Sequence, residues 1–231
     1  MSHVHANPDV PVITIDGPSG SGKGTIAHLL ADKLGFNLLD SGSLYRLTAL
    51  SATQKQVDME NSLHCEELAK HLDVTFSVRK DGIKIILAGE DVSGKIRTEV
   101  VGKGASIVAA HPNVRAALLE RQRAFAELPG LVADGRDMGT VVFPGAQVKI
   151  FLTASSDIRA DRRCAQLSSA GETVNRDEIL ADVRSRDARD ANRNVAPLKP
   201  ADNATVIDST HLTVEQVLSE VYDIVYVALG E

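Results

Sequence analysis

Residues 17–25 read Gly-Pro-Ser-Gly-Ser-Gly-Lys-Gly-Thr, and this segment constrains the chain more than any other. Four glycines in nine positions let a backbone wrap an anion without Cβ clashes. Val10 to Asp16, just before it, is short and almost continuously apolar, as a buried strand is. Lys23 to Leu34 carries Ile26, Leu29, Leu30 and Leu34 at helical spacing, and Gly35 stops the pattern. Strand, glycine loop and helix in that order bring main-chain N–H groups and the positive helix end together on a phosphate. Gly17, Pro18, Ser19, Gly20, Ser21, Gly22, Lys23, Gly24 and Thr25 are therefore expected to hold a nucleoside triphosphate. Lys23 should meet its β and γ oxygens, and the Thr25 hydroxyl should lie near Mg²⁺, directly or through water. An ordinary glycine turn is the alternative, and the flanking strand and helix speak against it.

The rest of the chain repeats the alternation. Phe36 to Asp40 reads as a second strand, and a helical stretch from Ser43 places Leu44, Leu47 and Leu50 on one side. Helical texture runs from near Glu99 through Arg123. Leu131 to Ala133 and Val148 to Leu152 look like buried strands, and helices are expected from Ser156 to Leu167 and from Arg176 to Arg193. A last strand, Ala204 to Ile207, precedes a helix opened by a capping box, Thr213 to Gln216. This is an α/β pattern with a parallel sheet flanked by helices. Between about Leu72 and Ser93 the period changes to two: Val74, Phe76 and Val78 alternate with polar residues, Asp81-Gly82 signals a hairpin, and Ile83 to Leu87 follows. A small antiparallel insertion is expected there. Asp134 closes the strand Leu131 to Ala133, where a carboxylate can hold Mg²⁺ through its water shell or simply end the strand in a turn.

Composition removes several classes of function. The net charge is -6, aromatics are 3% of the 231 residues and there is no Trp, so nucleic-acid binding is not expected. The two cysteines, Cys65 and Cys164, have no metal-ligand or disulfide-framework spacing. No apolar run approaches the length of a membrane span, and the first ten residues lack the features of a leader, so a cytoplasmic protein is expected. A monomer is expected, although no sequence feature reveals the oligomeric state. His3 and His5 read as part of a frayed terminus.

Arginine supplies the second signal. Eight stand between positions 159 and 193, namely 159, 162, 163, 176, 184, 186, 189 and 193. On a helix, Arg186, Asp190 and Arg193 share one face with Arg189 beside them. That face could be solvated and self-paired. Downstream of a phosphate loop, it could equally present guanidinium forks to a transferred phosphoryl group.

Four further segments carry a resemblance. Leu38 to Arg46 (LLDSGSLYR), Glu90 to Thr98 (EDVSGKIRT), Gly135 to Pro144 (GRDMGTVVFP) and Arg186 to Arg193 (RDARDANR) resemble the bacterial cytidylate kinase family, in its order and over nearly the whole chain. Lys-Gly-Thr, in place of Lys followed directly by Ser or Thr, is similar to the nucleoside monophosphate kinases. The resemblance implies a P-loop NTPase-type fold, with core residues 10–66 and 106–229, an acceptor-binding insertion at 67–105 and a helical lid at 155–175. It implies ATP as donor, Mg²⁺ as cofactor and CMP or dCMP as acceptor, bound by Ser41, Arg46, Ser106, Arg115, Arg136, Asp137, Arg186, Asp190 and Arg193. Arg46 and Arg136 would hold the acceptor phosphate; Ser106, Arg115 and Asp137 would face the cytosine; Arg186 and Asp190 would lie near the sugar. Lys23, Arg136, Arg162 and Arg186 would act on the transferred group, with Arg162 carried toward ATP by the lid.

Chemistry makes this allocation reasonable. Cytosine offers an amino donor beside N3 and O2 acceptors, which a carboxylate and a guanidinium can pair. Uracil would set its O4 against the Asp137 lone pairs, and such mismatches discriminate by roughly 10⁴ or more. Structural roles stay open for Arg115 and Arg136 as ion-pair residues, for Ser41 as a helix cap and for Tyr45 as packing. A GTPase is disfavoured because no Asn is followed by Lys, although Asp91-Val-Ser-Gly94 imitates a switch motif. A kinase of the same fold acting on AMP, UMP or a small alcohol is opposed only by the resemblance.

Overall fold

The computed structural model describes residues 10–79, 82–169 and 171–230. In chain order these form β1 (Val12–Asp16), α1 (Lys23–Leu34), β2 (Asn37–Asp40), α2 (Ser41–Gln54), α3 (Ser62–Lys70), β3 (Val74–Arg79), β4 (Gly82–Leu87) and β5 (Glu90–Asp91). Then come α4 (Glu99–Val108), α5 (Pro112–Arg123), β6 (Leu131–Gly135), β7 (Val148–Thr153), α6 (Ser156–Ser169), α7 (Arg176–Ala191), β8 (Thr205–Asp208) and α8 (Val214–Leu229). They fall into two compact units: the described residues up to Asp40 and from Arg123 onward, and Ser41–Gln122.

The larger unit is built on a five-stranded sheet in the order β2-β6-β1-β7-β8, with every pairing parallel. The central strands are buried on both faces, which is why they read as nearly continuous apolar runs. Ile13, Ile15, Val132, Val148, Ile150, Leu152 and Ile207 meet Ile26 and Leu30 of α1 and Val217, Val221 and Val225 of α8. α1 ends where Gly35 turns left-handed at φ 68°. The capping box at Thr213 and Gln216 is formed as the sequence predicts.

Several boundaries move, most by one or two residues; α2 begins at Ser41 instead of Ser43, and three further differences bear on the fold. β6 continues through Asp134 and Gly135, which pair with Ile15 and Asp16, so Asp134 lies inside the strand instead of closing it. The helical stretch from Glu99 to Arg123 is two helices, because Pro112 lacks an N–H and opens α5 as a new first turn. α7 stops at Ala191, two residues short of Arg193.

The smaller unit combines α2 to α5 with an antiparallel sheet in the order β3-β4-β5. Val74 pairs with Leu87 and Phe76 with Ile85, the antiparallel register expected of the insertion; Asp81 of the hairpin signal lies outside the described residues, as do His3 and His5. α2 and α4 pack closely at Gly104, where a Cβ would stand 2.7 Å from Met59 Sδ and 3.2 Å from Ala49 Cβ. α3 has no counterpart in the sequence-based expectations, although Cys65, Leu68, Ala69 and Leu72 stand at helical spacing; the helix is short and buries only Cys65 and Ala69. Its local signal is Asn61, whose side chain accepts the His64 N–H. Among the described residues, no helix is long and apolar enough to cross a membrane.

Candidate active site

The glycine loop joins β1 to α1 where the sequence places it. Gly17 has no room for a side chain, because a Cβ there would stand 2.0 Å from the Leu152 carbonyl oxygen. Lys23 opens α1 and is buried; its Nζ donates to the Pro18 carbonyl at 3.2 Å and lies 3.9 Å from Asp134 Oδ1. Burial, reinforced by the Arg136 guanidinium, lowers the Lys23 pKa to about 8 against the pull of Asp134. Burial likewise raises Asp134 to about 7, although Lys23 opposes it. Among the described residues, Asp134 Oδ1 has no hydrogen-bond partner. Gly24 explains the Lys-Gly-Thr spelling: a Cβ at 24 would sit 3.1 Å from Asp134 Oδ2, so the first turn of α1 lies directly against this carboxylate. Thr25, on that turn, is exposed.

Two arginines of α6 hold the loop from outside. Arg159 is buried, and its Nη1 donates to the Ser19 carbonyl at 3.0 Å while Nε donates to the Ala154 carbonyl at 2.9 Å. Arg162 donates through Nη1 to the Ser21 carbonyl at 3.2 Å and through Nη2 to the Ser209 carbonyl at 2.6 Å; Ser209 Oγ donates to the Ser21 carbonyl at 3.0 Å. In a trans peptide the carbonyl and the next N–H point in opposite directions. Tethering the Ser19 and Ser21 carbonyls therefore turns the Gly20 and Gly22 N–H groups away from the arginines. Arg162 thus reaches the loop, with main-chain carbonyls as its partners. Arg159, which the sequence marks only as one arginine of a cluster, carries the greater structural role.

Arg136, Asp190 and Arg193 come together. Arg136 Nε donates to Asp190 Oδ2 at 3.0 Å, Arg193 Nη2 lies 4.0 Å from Asp190 Oδ1, and Arg193 Nε donates to the Asp190 carbonyl at 3.3 Å. Arg186 stands one turn earlier on α7, half-buried. Asp137 is buried directly after Arg136. Asp16, absent from the sequence-based candidates, is buried at the end of β1, where Oδ1 accepts the Met138 N–H and Oδ2 the Gly139 N–H, both at 2.8 Å. Burial raises its pKa to about 6 despite these two hydrogen bonds. A carboxylate ending an apolar strand signals that such partners exist, without saying which.

In the smaller unit, Ser41 is the first residue of α2 and is buried, and its Oγ accepts from Gln122 Nε2 at 3.0 Å. Gln122 has no motif to mark it. Arg46 Nη1 donates to the Ile96 carbonyl at 2.9 Å. Arg115 donates to the Ala109 carbonyl at 3.3 Å and places its guanidinium 5.4 Å from the centre of the Tyr45 ring, a packing role for Tyr45. Ser106 is half-buried on α4.

Among the described residues, no three His, Cys, Asp or Glu side chains gather as a metal cage. The donor set suits a cation that keeps most of its waters and takes one carboxylate with substrate phosphates, as Mg²⁺ does. Asp134 Oδ1 beside the loop, ion-paired with Lys23 but accepting no hydrogen bond among the described residues, is the atom that fits it.

The family described as "Cytidylate kinase" matches residues 13–226. The chain is similar to the cytidylate kinase of Stutzerimonas stutzeri (strain A1501), 61% identical over 214 residues that cover 92% of this chain and 93% of that protein. It is 57% identical over 221 residues to the cytidylate kinase of Photobacterium profundum, covering 96% of this chain and 97% of that protein.

Proposed function

The chain belongs to the cytidylate kinase family, and from that premise we infer that it transfers the γ-phosphoryl group of ATP to CMP, accepts dCMP as well, and uses Mg²⁺. The observation that carries the site assignment is the buried Lys23 and Asp134 pair at the mouth of the glycine loop. A lysine and a carboxylate desolvated together are each poised for an incoming partner of opposite charge: phosphoryl oxygens for Lys23, a hydrated cation for Asp134.

An acceptor phosphate needs no general base, since its second pKa is about 6 and an oxygen nucleophile is present at neutral pH. The residues of the chain then orient and neutralise. The glycine-loop amides hold the donor phosphates, Lys23 meets the β and γ oxygens, and Arg136 with Arg186 and Arg162 offsets the charge that develops on the transferred group. Asp134 and Thr25 would hold Mg²⁺, which would supply further neutralisation of the phosphates when bound. Arg46 and Arg193 complete the grip on the acceptor, Ser41 adds a hydroxyl, Asp190 serves the sugar, and Asp137 with Arg115 and Ser106 selects cytosine. Residues 155–175 act as a lid that excludes water from the donor, and residues 67–105 serve the acceptor. A cytoplasmic, monomeric enzyme acting on free nucleotides goes with this reading.

A coupled ADP-release assay over a panel of nucleoside monophosphates tests it. Turnover is expected with CMP and dCMP and to fall by orders of magnitude with UMP; equal turnover of UMP rejects the acceptor assignment. Lys23→Ala should lose about 10²- to 10³-fold in kcat while keeping a cooperative melt.

A further inference from the structure

We propose that Asp16 is the positioning residue that sets the segment carrying Arg136 and Asp137 in register with the phosphate loop. The inference rests on the assignment of those two residues to the acceptor nucleotide.

Asp16 is the last residue of β1, and the next residue, Gly17, begins the phosphate loop. Both of its carboxylate oxygens are taken by the consecutive N–H groups of Met138 and Gly139, at 2.8 Å each. Two bonds from one rigid group fix two successive peptide planes, and those planes follow directly on Asp137. Asp137 itself is in neither strand nor helix conformation, at φ -146° and ψ 23°, where the chain leaves β6. It turns at once into Met138–Val142, closed by Val142 N–H to the Asp137 carbonyl at 3.2 Å and Phe143 N–H to the Met138 carbonyl at 2.7 Å. The first N–H groups of such a turn have no partner within it, so a cap must come from elsewhere. Here it comes from the neighbouring parallel strand, through a residue that also starts the donor loop.

The approach is tight. A Cβ at Gly139 would stand 2.9 Å from Thr14 Oγ1, so the turn lies down against β1. The carboxylate therefore fixes where the acceptor-side turn begins, from the strand whose next residue, Gly17, opens the donor loop. Asn at 16 keeps one acceptor but aims an N–H donor at the second amide, leaving a buried N–H unmet.

The test compares wild type, Asp16→Asn, Asp16→Glu and Asp137→Ala at a temperature well below every melting transition. Asp16→Asn is expected to raise KM for CMP about tenfold and to lower the CMP-over-UMP ratio of kcat/KM by a similar factor, as loss of one buried hydrogen bond does. KM for ATP should change less than about threefold, below the roughly tenfold rise expected for CMP. Asp16→Glu, which keeps both acceptors on a longer arm, should lie between wild type and Asn. If Asn does not fold, Glu is compared on the same ratio, and a ratio equal to wild type overturns the proposal. A merely structural role would lower the melting temperature and leave both KM values and the ratio unmoved; that result also overturns it. Asp137→Ala separates the two layers: an unchanged ratio there removes the base assignment and this inference together. A ratio altered in Asp137→Ala but not in Asp16→Asn removes this inference alone.

Discussion

Arg159 and Asp187, 28 positions apart, form a two-pronged ion pair in which Nη1 meets Oδ1 at 2.9 Å and Nη2 meets Oδ2. The remaining Arg159 nitrogen donates to the Ala154 carbonyl and Nη1 also reaches the Ser19 carbonyl, so one guanidinium joins α6, α7 and the phosphate loop. Such a fork is specific to arginine, because an ammonium cannot meet a carboxylate and two carbonyls in one plane.

Arg159→Ala is expected to cost about 3 kcal/mol, as when one partner is removed from a largely buried pair, and to raise KM for ATP because the loop carbonyl at Ser19 is released. Arg159→Lys should recover charge without the fork and restore less than half of that stability. Urea denaturation followed by circular dichroism measures the first effect, and initial rates against ATP the second. A Lys variant indistinguishable from wild type contradicts the geometric account.

Gly24→Ala isolates the contact between α1 and Asp134. Replacing a helical Gly by Ala stabilises by up to about 1 kcal/mol, so the fold should survive. The added methyl would lie 3.1 Å from Asp134 Oδ2 and must displace that carboxylate. The Mg²⁺ concentration for half-maximal rate is expected to rise several-fold, with the melting temperature unchanged or higher. A Mg²⁺ titration identical to wild type separates Asp134 from the metal.

Gln122→Leu tests the buried amide behind Ser41. Gln122 is 1% exposed and its Nε2 is the donor that orients Ser41 Oγ. Removing it leaves the hydroxyl free to rotate, and KM for CMP is expected to rise about 5- to 10-fold, the worth of one hydrogen bond, with KM for ATP unaffected. Equal effects on both KM values would show a general loss of folding.

The ligand-free protein should also show a defined dependence of stability on pH. Asp16, at about 6, and Asp134, at about 7, both titrate above the ordinary 3.8 because they are buried, so between pH 4 and 7 the native state holds more protons than the unfolded chain. Stability contributed by these two groups therefore falls as pH rises through that window. Lys23, lowered from 10.5 to about 8, works the other way: the unfolded chain holds the extra proton between pH 8 and 10.5, and stability returns as pH rises there. The urea midpoint should pass through a shallow minimum near pH 7 to 8, and Asp134→Asn should flatten its acid side. An unaltered acid side in that variant removes Asp134 as the cause.

Much of the framework is legible along the chain because it is local. The apolar run of β1, the glycines that follow and the 3.6-residue spacing of α1 each act over a few residues, and together they specify the strand, loop and helix. The capping box at Thr213 and the two-residue alternation from Val74 are readable for the same reason. α3 is short and buries only Cys65 and Ala69, so the i, i+3, i+4 spacing of Cys65, Leu68 and Ala69 is a weak signal over nine residues. The Asp134 boundary moved because strand length is set by the neighbours β1 and β2, not by its own residues.

By itself, then, the sequence determined the phosphate-binding unit, the α/β class and the residue types available for binding anions. Only the tertiary structure decided which charge meets which: Asp16 with the amides of 138 and 139, Arg159 with Asp187 and Ser19, Lys23 with Asp134. The physical reason is range. Glycine conformations, caps and periodicity are properties of neighbouring residues, whereas a hydrogen bond between residues more than a hundred positions apart exists only once the sheet has brought their strands side by side.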